Sequence, residues 1–175
     1  MASVIRGSDD FDSGTVGITL GTAVASTSGT SIDFTGIPAG VKRITVMLDG
    51  VSTNGTSIPL LRIGDLGGFE TTDYTSIGAG VKYSTADMTR GGSSTDGFRI
   101  AVNSHFAANS ITAVIILHNM SSNSWVVTGS AILSGEYACP IIGCKTLSGE
   151  LNQVRLTTTN GTDTLDAGSI NISYE

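Results

Sequence analysis

The chain has little charge and few of the residues that carry catalysis or bind metals. Only 14% of its 175 residues are charged, where a soluble domain usually has about a quarter, and it contains two cysteines and two histidines. A net charge of −6 argues against nucleic acids and anionic membrane surfaces as partners, because both attract basic patches. A surface with so little charge suits a subunit that buries much of itself against copies or neighbours.

Long apolar runs are also missing. No stretch approaches the roughly 18 apolar residues of a membrane-spanning helix, and Met1–Asp10 lacks the apolar core of a secretory signal. We therefore expect no membrane insertion, and we expect assembly in the cytoplasm of the cell that makes the protein. Helical spacing of apolar residues is interrupted by glycine throughout, so we expect little or no helix.

The sequence does contain apolar residues that alternate at period two between turn signals. Gly36–Gly40 is a turn cluster, the apolar residues of Ile44–Leu48 share one face of a strand, and Asn54–Gly55 predicts a hairpin turn, as does Asn160–Gly161. The same alternation predicts the remaining strands at Val16–Leu20, Ile32–Phe34, Ile58–Ile63, Phe98–Val102, Trp125–Leu133, Val154–Leu156 and Ile170–Tyr174.

Two stretches depart from this alternation. Ser110–His118 is apolar on both faces, which predicts a central strand covered on both sides or a subunit interface. Phe69–Gly97 is rich in Thr, Ser, Gly and Asp, and it predicts a long irregular region. Loops of that length in a compact domain are usually functional or flexible.

Many short strands without covering helices predict an all-β fold, an antiparallel, jelly-roll-like β-sandwich. The chain is long enough for one well-buried core. We expect residues 15–175 to form a single domain, and residues 1–14 to form an extended N-terminal lead-in or attachment segment.

Catalytic and metal-binding patterns are weak. His105 and His118 accompany no G-x-S-x-G motif, and strand-end or turn positions favour structural histidines. Asp9–Gly14 resembles part of a calcium loop but lacks most of its ligands. Cys139 and Cys144 are too few for a zinc site, and a reducing cytosol favours free thiols over a short disulfide loop. We expect no enzyme activity, no cofactor and no metal.

Sugar binding requires an aromatic face for the ring and polar groups for its hydroxyls. The irregular region supplies such residues on predicted loops, and Trp125 heads a strand, where a core or interface role is the stronger interpretation. The candidate receptor- or glycan-binding residues are Tyr74, Tyr83, Asp87, Arg90, Asp96 and Trp125. The spacing of the acids in this region, including Glu70 and Asp73, picks out no glycosidase pair.

Three segments resemble tail-fibre-like proteins of tailed bacteriophages and prophages. They are G-I-P-A-G-V-K-R-I-T-V-M-L-D-G-V-S-T-N-G-T-S at Gly36–Ser57, the opening Ala2–Thr22, and N-G-T-D-T-L-D-A-G-S-I-N-I-S-Y-E at Asn160–Glu175. The middle, about Thr71–Asn123, carries none of this resemblance. The likeness implies a phage virion protein, a distal receptor-binding or tail-tip module, and it assigns no functional residues.

The resemblance and the composition together predict a non-enzymatic tail-fibre or tail-tip module. We expect it to adhere to a host surface glycan or outer-membrane receptor as an oligomer, with a trimer favoured, in a virion assembled in the host cytoplasm. The alternative is a structural virion protein, such as a head fibre, capsid decoration or baseplate adaptor, that binds only other phage proteins. A small capsule-degrading glycosidase or lyase is a weaker third hypothesis.

Overall fold

The computed structural model describes residues 17–84, 88–101, 107, 109–134 and 136–175. The predicted lead-in at residues 1–14 lies outside them. Within the described residues the chain is all β. Its strands are β1 (Thr19–Leu20), β2 (Val24–Ala25), β3 (Ile32–Phe34), β4 (Arg43–Thr53), β5 (Pro59–Asp65), β6 (Gly68–Phe69), β7 (Thr75–Lys82), β8 (Met88–Ser94), β9 (Phe98–Arg99), β10 (Ile111–Ser121), β11 (Ser124–Leu133), β12 (Tyr137–Thr146), β13 (Gln153–Thr158) and β14 (Leu165–Tyr174).

The strands form two antiparallel sheets that pack as a β-sandwich, as the sequence predicted. The large sheet has the order β1-β14-β4-β10-β11-β12-β7-β8, with β2 also paired to β14. The small sheet has the order β3-β13-β5-β6, with β9 paired to β5.

One apolar core lies between the sheets. The predicted inward face of β4 is confirmed, since Ile44 and Val46 are fully buried and Leu48 is nearly so. Val154 and Leu156 of β13 contribute from the small sheet. At roughly 25 cal/mol per Å² of apolar surface removed from water, this shared core is the main source of stability.

The predicted turn at Gly36–Gly40 is confirmed, because both glycines have positive φ (73° and 86°). The two predicted hairpins are wrong. Asn54–Gly55 joins β4 of the large sheet to β5 of the small sheet, and Asn160–Gly161 joins β13 of the small sheet to β14 of the large one. Both connections therefore cross between the sheets.

The two crossing loops bind each other rather than closing hairpins. The Asn54 N–H donates to the Thr164 carbonyl (2.9 Å), and the Asn54 side-chain oxygen accepts from the Thr164 N–H (2.9 Å). The Ser57 N–H donates to the Asp163 carboxylate (2.9 Å). A Cβ on Gly55 would lie 2.0 Å from that carboxylate, so glycine is required here for close approach and not for a type I′ turn.

The prediction of an irregular region over Phe69–Gly97 is wrong, because β7 and β8 pair as a hairpin at the edge of the large sheet. In β7 the inward positions are Ser76, Gly78 and Gly80, while its apolar residues point outward. Small residues are needed inside because the segment 98–101 crosses this face: a Cβ on Gly78 would lie 3.4 Å from the Arg99 Cβ. An inverted pattern of this kind does not read as a strand.

Strand β12 was also missed, and Pro140 explains why. Proline normally argues against a central strand because it has no N–H to donate. Pro140 pairs with Ser130 of β11, and the pairing of β12 with β7 is interrupted between Ala138 and Ile141. The ladder therefore accommodates the proline locally.

Strand β10 is central, as predicted. Its inward residues Ile111, Ala113, Ile115 and Leu117 are buried, but Val114 on the opposite face is 49% exposed. The prediction that both faces are covered is not met within one chain. The interface alternative remains a prediction.

Candidate interaction surface

The most unusual surface is the outward side of four adjacent strands, β10, β11, β12 and β7. Its large apolar side chains are between 39% and 60% exposed. We call this surface the apolar face, and its defining residues are Ile77, Val81, Val114, Val126, Ile132 and Ile142.

The strand register places these residues in rows across the sheet. Ile116, Thr128, Ile142 and Ile77 are successive partners across β10, β11, β12 and β7. In another row Ile132 lies opposite Ala138, which lies opposite Val81. Cross-strand neighbours lie about 4.5–5.5 Å apart, so the side chains of a row contact one another and make a continuous surface.

Among the described residues, no Asp, Glu, Lys or Arg points outward from the body of these four strands. His118 lies near the end of β10 on the same side, opposite Arg43 of β4. Arg43 pairs with Glu175 (2.7 Å), at the end of the strands. The apolar face is thus uncharged, with charge at its margin.

Two shallow depressions indent the apolar face. One, of about 300 Å³, is lined by Val114, Ser130, Ile132 and Ala138 with Thr112. The other, of about 350 Å³, is lined by Ile77, Val126, Ile142 and Cys144 with Thr75. Both are open, so they can receive side chains from a second surface, but they do not enclose a small molecule.

The two cysteines lie on opposite sides of β12. Cys139 is buried in the core and Cys144 is exposed on the apolar face, and neither forms a disulfide. Residues five apart on a strand are separated by about 17 Å, which a disulfide cannot span. The disulfide alternative within Cys139–Cys144 is therefore excluded while β12 is formed.

The charge of β12 points inward. Lys145 is 3% exposed by its side chain, and its ammonium lies 2.5 Å from a Glu70 carboxylate oxygen and 5.3 Å from the centre of the Tyr74 ring. The other Glu70 oxygen accepts from the Ser148 N–H (2.6 Å), and the Ser148 hydroxyl donates to Asp65 (2.8 Å). The result is a satisfied polar cluster at the border of the core.

The pKa of both carboxyls in this cluster is lowered. Hydrogen bonds from Ser148 and the Gly67 N–H lower the pKa of Asp65 below its ordinary 3.8. Burial opposes ionisation of Glu70, but hydrogen bonds from Lys145 and Ser148 outweigh it and lower its pKa below 4.5. Both groups are ionised at neutral pH, whereas a glycosidase needs one carboxyl kept protonated by a raised pKa.

The candidate binding residues do not form one site. Tyr74 is 2% exposed. Its hydroxyl oxygen accepts from the Ile63 N–H, and its one proton is shared between the Ile63 and Glu70 carbonyl oxygens, each 3.0 Å away. Burial raises its pKa to about 12. Trp125 is 3% exposed in the core, in line with its stronger interpretation. Neither ring can stack on a ligand in this conformation.

The other candidates are scattered or outside the described residues. Tyr83, just after β7, is 77% exposed. Asp96 lies in the turn after β8, where its carbonyl accepts from the Arg62 side chain (2.7 Å). Asp87 and the side chain of Arg90 lie outside the described residues. Tyr74 lies on the loop before β7, as predicted, but its ring is buried in the core and not exposed.

A cleft that sequence reasoning missed lies at the opposite edge of the sandwich, between β3 and β14. This edge cleft has a volume of about 330 Å³, and it is lined by Phe34, Tyr174 and Asp33 together with small residues including Thr22 and Thr35. The Asp33 carboxylate is bound by Arg155, so the groups that this cleft offers for sugar recognition are the two half-buried aromatic rings and the threonine hydroxyls. Residues far apart in sequence form it, so no local motif could have revealed it.

The described residues contain no group of three or more His, Cys, Asp or Glu side chains arranged to hold a metal ion. They also contain no helix able to cross a membrane.

Comparisons with known proteins give the chain no family. No protein-family model, no curated protein and no solved structure matches it.

Proposed function

We propose that this chain is a non-enzymatic assembly module on the exterior of a phage virion. The virion context comes from the resemblance of Gly36–Ser57 and the two terminal segments to tail-fibre-like proteins. The observation that carries the assembly role is the apolar face, an uncharged, exposed sheet surface. Monomeric proteins seldom leave a contiguous apolar patch of several hundred Å² exposed, and such patches mark interaction sites.

The assembly role is tested by placing a charge on the apolar face. Ile142 is 60% exposed, so Ile142→Asp leaves the core intact while burying a carboxylate in any contact made there. In particles from the phage or prophage that encodes the chain, we expect this variant to be absent or strongly reduced by quantitative mass spectrometry. The matched control is Leu66→Asp, at a loop residue that is 89% exposed. Normal incorporation of Ile142→Asp would contradict the proposal.

Adhesion to the host surface is a second function, favoured by the edge cleft. Phe34 and Tyr174 supply the aromatic rings of a glycan site away from the apolar face, and Thr22 and Thr35 supply hydroxyls. Fluorescently labelled protein should then bind intact host cells, and periodate oxidation of surface glycans should abolish that binding.

Two variants locate the adhesive site. Thr35 is an exposed residue lining the edge cleft, and Thr35→Trp would fill it. Tyr83→Ala removes the exposed tyrosine predicted from sequence. Loss of cell binding in Thr35→Trp alone would assign adhesion to the cleft, and loss in Tyr83→Ala alone would assign it to the β7–β8 end. Absence of binding by the unmodified protein would leave assembly as its role.

A further inference from the structure

We propose that the apolar face is covered by the same face of a second copy of this chain. A two-fold axis between the facing large sheets of the two copies relates one chain to the other. This inference rests on the proposed assembly role and names the partner. Three properties of the face support it: its lack of charge, its area and its open depressions.

The charge distribution favours a copy as the partner. Each chain carries a formal net charge of −6, so two copies repel each other when charged surfaces meet. The outward positions of β10, β11, β12 and β7 present no Asp, Glu, Lys or Arg among the described residues. Two such faces can meet without like charges in contact, whereas a face made for a different, charged partner would carry complementary charge.

The area is sufficient for a specific pair. Four strands spaced about 4.8 Å apart cover about 19 Å, and the eight residues of β7, the shortest of the four, cover about 25 Å. One face therefore measures about 480 Å², and two facing copies would bury about 1,000 Å² in total. That total reaches the lower limit for a specific interface.

The shape fits the packing of one sheet on another. Facing sheets lie about 10 Å apart with their side chains interdigitated. The depressions beside Ile132 and beside Ile142 give room for side chains of the facing sheet. One facing sheet is enough to cover a single sheet face, so the contact favours two copies over the three expected from the sequence.

Light scattering after chromatography tests the pair directly. We expect the unmodified protein and Leu66→Asp to have the mass of two chains at about 50 μM, and Ile142→Asp to have the mass of one. The far-ultraviolet circular dichroism of all three should agree, because both substituted residues are exposed. A single-chain mass for the unmodified protein, or a three-chain mass, would overturn the two-fold pair.

Cys144 reports whether the apolar face is the surface in contact. It is exposed in one chain and would be covered in the pair, while Cys139 is buried in either case. Its reaction with a thiol reagent should be at least tenfold slower in the pair than in Ile142→Asp, and Cys144→Ser should remove the fast phase. Equal rates in a two-chain particle would place the contact elsewhere and overturn the proposal.

The outcomes separate this inference from the assembly role. The unmodified protein could be a single chain in solution while Ile142→Asp fails to enter virions and Leu66→Asp enters normally. In that case another virion protein covers the apolar face. That result would overturn the second copy as partner and leave the assembly role in place. Normal incorporation of Ile142→Asp into virions would instead contradict the assembly role.

Discussion

The outward sides of the two sheets differ in how they meet solvent. On the small sheet, Arg155 donates two hydrogen bonds to Asp33 (2.7 and 2.6 Å), and its guanidinium lies 4.1 Å from the centre of the Phe69 ring. On the large sheet, the apolar face presents only uncharged side chains, and the lysine of β12 points into the protein. The small sheet therefore meets solvent with a pair of charges, whereas the apolar face of the large sheet meets it with uncharged side chains.

The difference shows which surface of the protein accounts for its low charge content. Composition indicated a surface short of charge, but an even distribution would give two similar faces. Instead the deficit lies on four adjacent strands, and the small sheet keeps a conventional polar exterior. A low overall charge is therefore informative once it is localised to one surface.

The largest effect on stability is expected from a bulky side chain at an inward position of β12. A Cβ on Gly143 would lie 2.6 Å from the Thr75 carbonyl and 2.8 Å from the Phe98 ring. Gly143→Val should therefore reduce the free energy of unfolding by about 3 kcal/mol or more. Ser130→Val, at an outward position on β11, should change it by less than about 0.5 kcal/mol. Urea titration of both variants measures this, and the opposite ranking would mean that the apolar face is assigned to the wrong side.

An intermediate effect on stability is expected from removing the partner of Lys145, the charged residue that β12 buries. Glu70→Gln leaves the Lys145 ammonium buried without its carboxylate, and it should cost about 3 kcal/mol of unfolding free energy. Adding Lys145→Met should recover part of that loss, because an apolar side chain needs no partner. If Glu70→Gln unfolds at the same urea concentration as the unmodified protein, the pair does not hold this border of the core.

The same cluster predicts an acid dependence of stability. The pKa of Glu70 and of Asp65 is lower in the folded chain than the ordinary 4.5 and 3.8. Their stabilisation is therefore fully present above about pH 5, and it is lost as the pH falls below 4.5 and through the folded pKa values. Melting temperatures between pH 7 and 3 should fall less steeply for Glu70→Gln, and parallel curves would rule out Glu70 as a source of the slope.

The smallest effect is expected on the outward side of the small sheet. Asp33 and Arg155 are about one-third exposed, so a double-mutant cycle with Asp33→Ala and Arg155→Ala should give a coupling energy of about 0.5–1 kcal/mol. Because salt screens exposed pairs, 1 M salt should reduce that coupling. The proposed pairing of two chains should instead strengthen in 1 M salt, since screening weakens the repulsion between chains that each carry a net charge of −6.

Much of the fold could be predicted because its inward residues follow the expected alternation. Strands β4, β11 and β13 alternate apolar and other residues, β10 is a recognisable apolar run, and the absence of helical periodicity favoured a sandwich. Strand β7 escaped prediction because its inward positions hold Ser76 and glycines beneath the segment 98–101. In such a strand the apolar residues mark the outside, so period two alone cannot identify the buried face.

The candidate site was harder to predict because it depends on pairing between distant segments. The interface alternative for Ser110–His118 came from the apolar residues of β10, but the apolar face also needs Ile77 and Ile142 from strands that were not recognised. Tyr74 reads as an exposed loop aromatic until Ile63 and Glu70 supply partners for its hydroxyl. The Asn-Gly pairs read as hairpins because sequence does not show which sheet receives the next strand.

The position of β14 has a consequence for synthesis. This strand lies between β1 and β4, although it follows β4 by more than a hundred residues. During translation, one edge of β4 has no native partner until residues 165–174 leave the ribosome. An unpaired strand edge is a template for association with other chains. Correct folding of the nascent chain therefore requires β14 to pair with this edge of β4 before a second nascent copy associates with it.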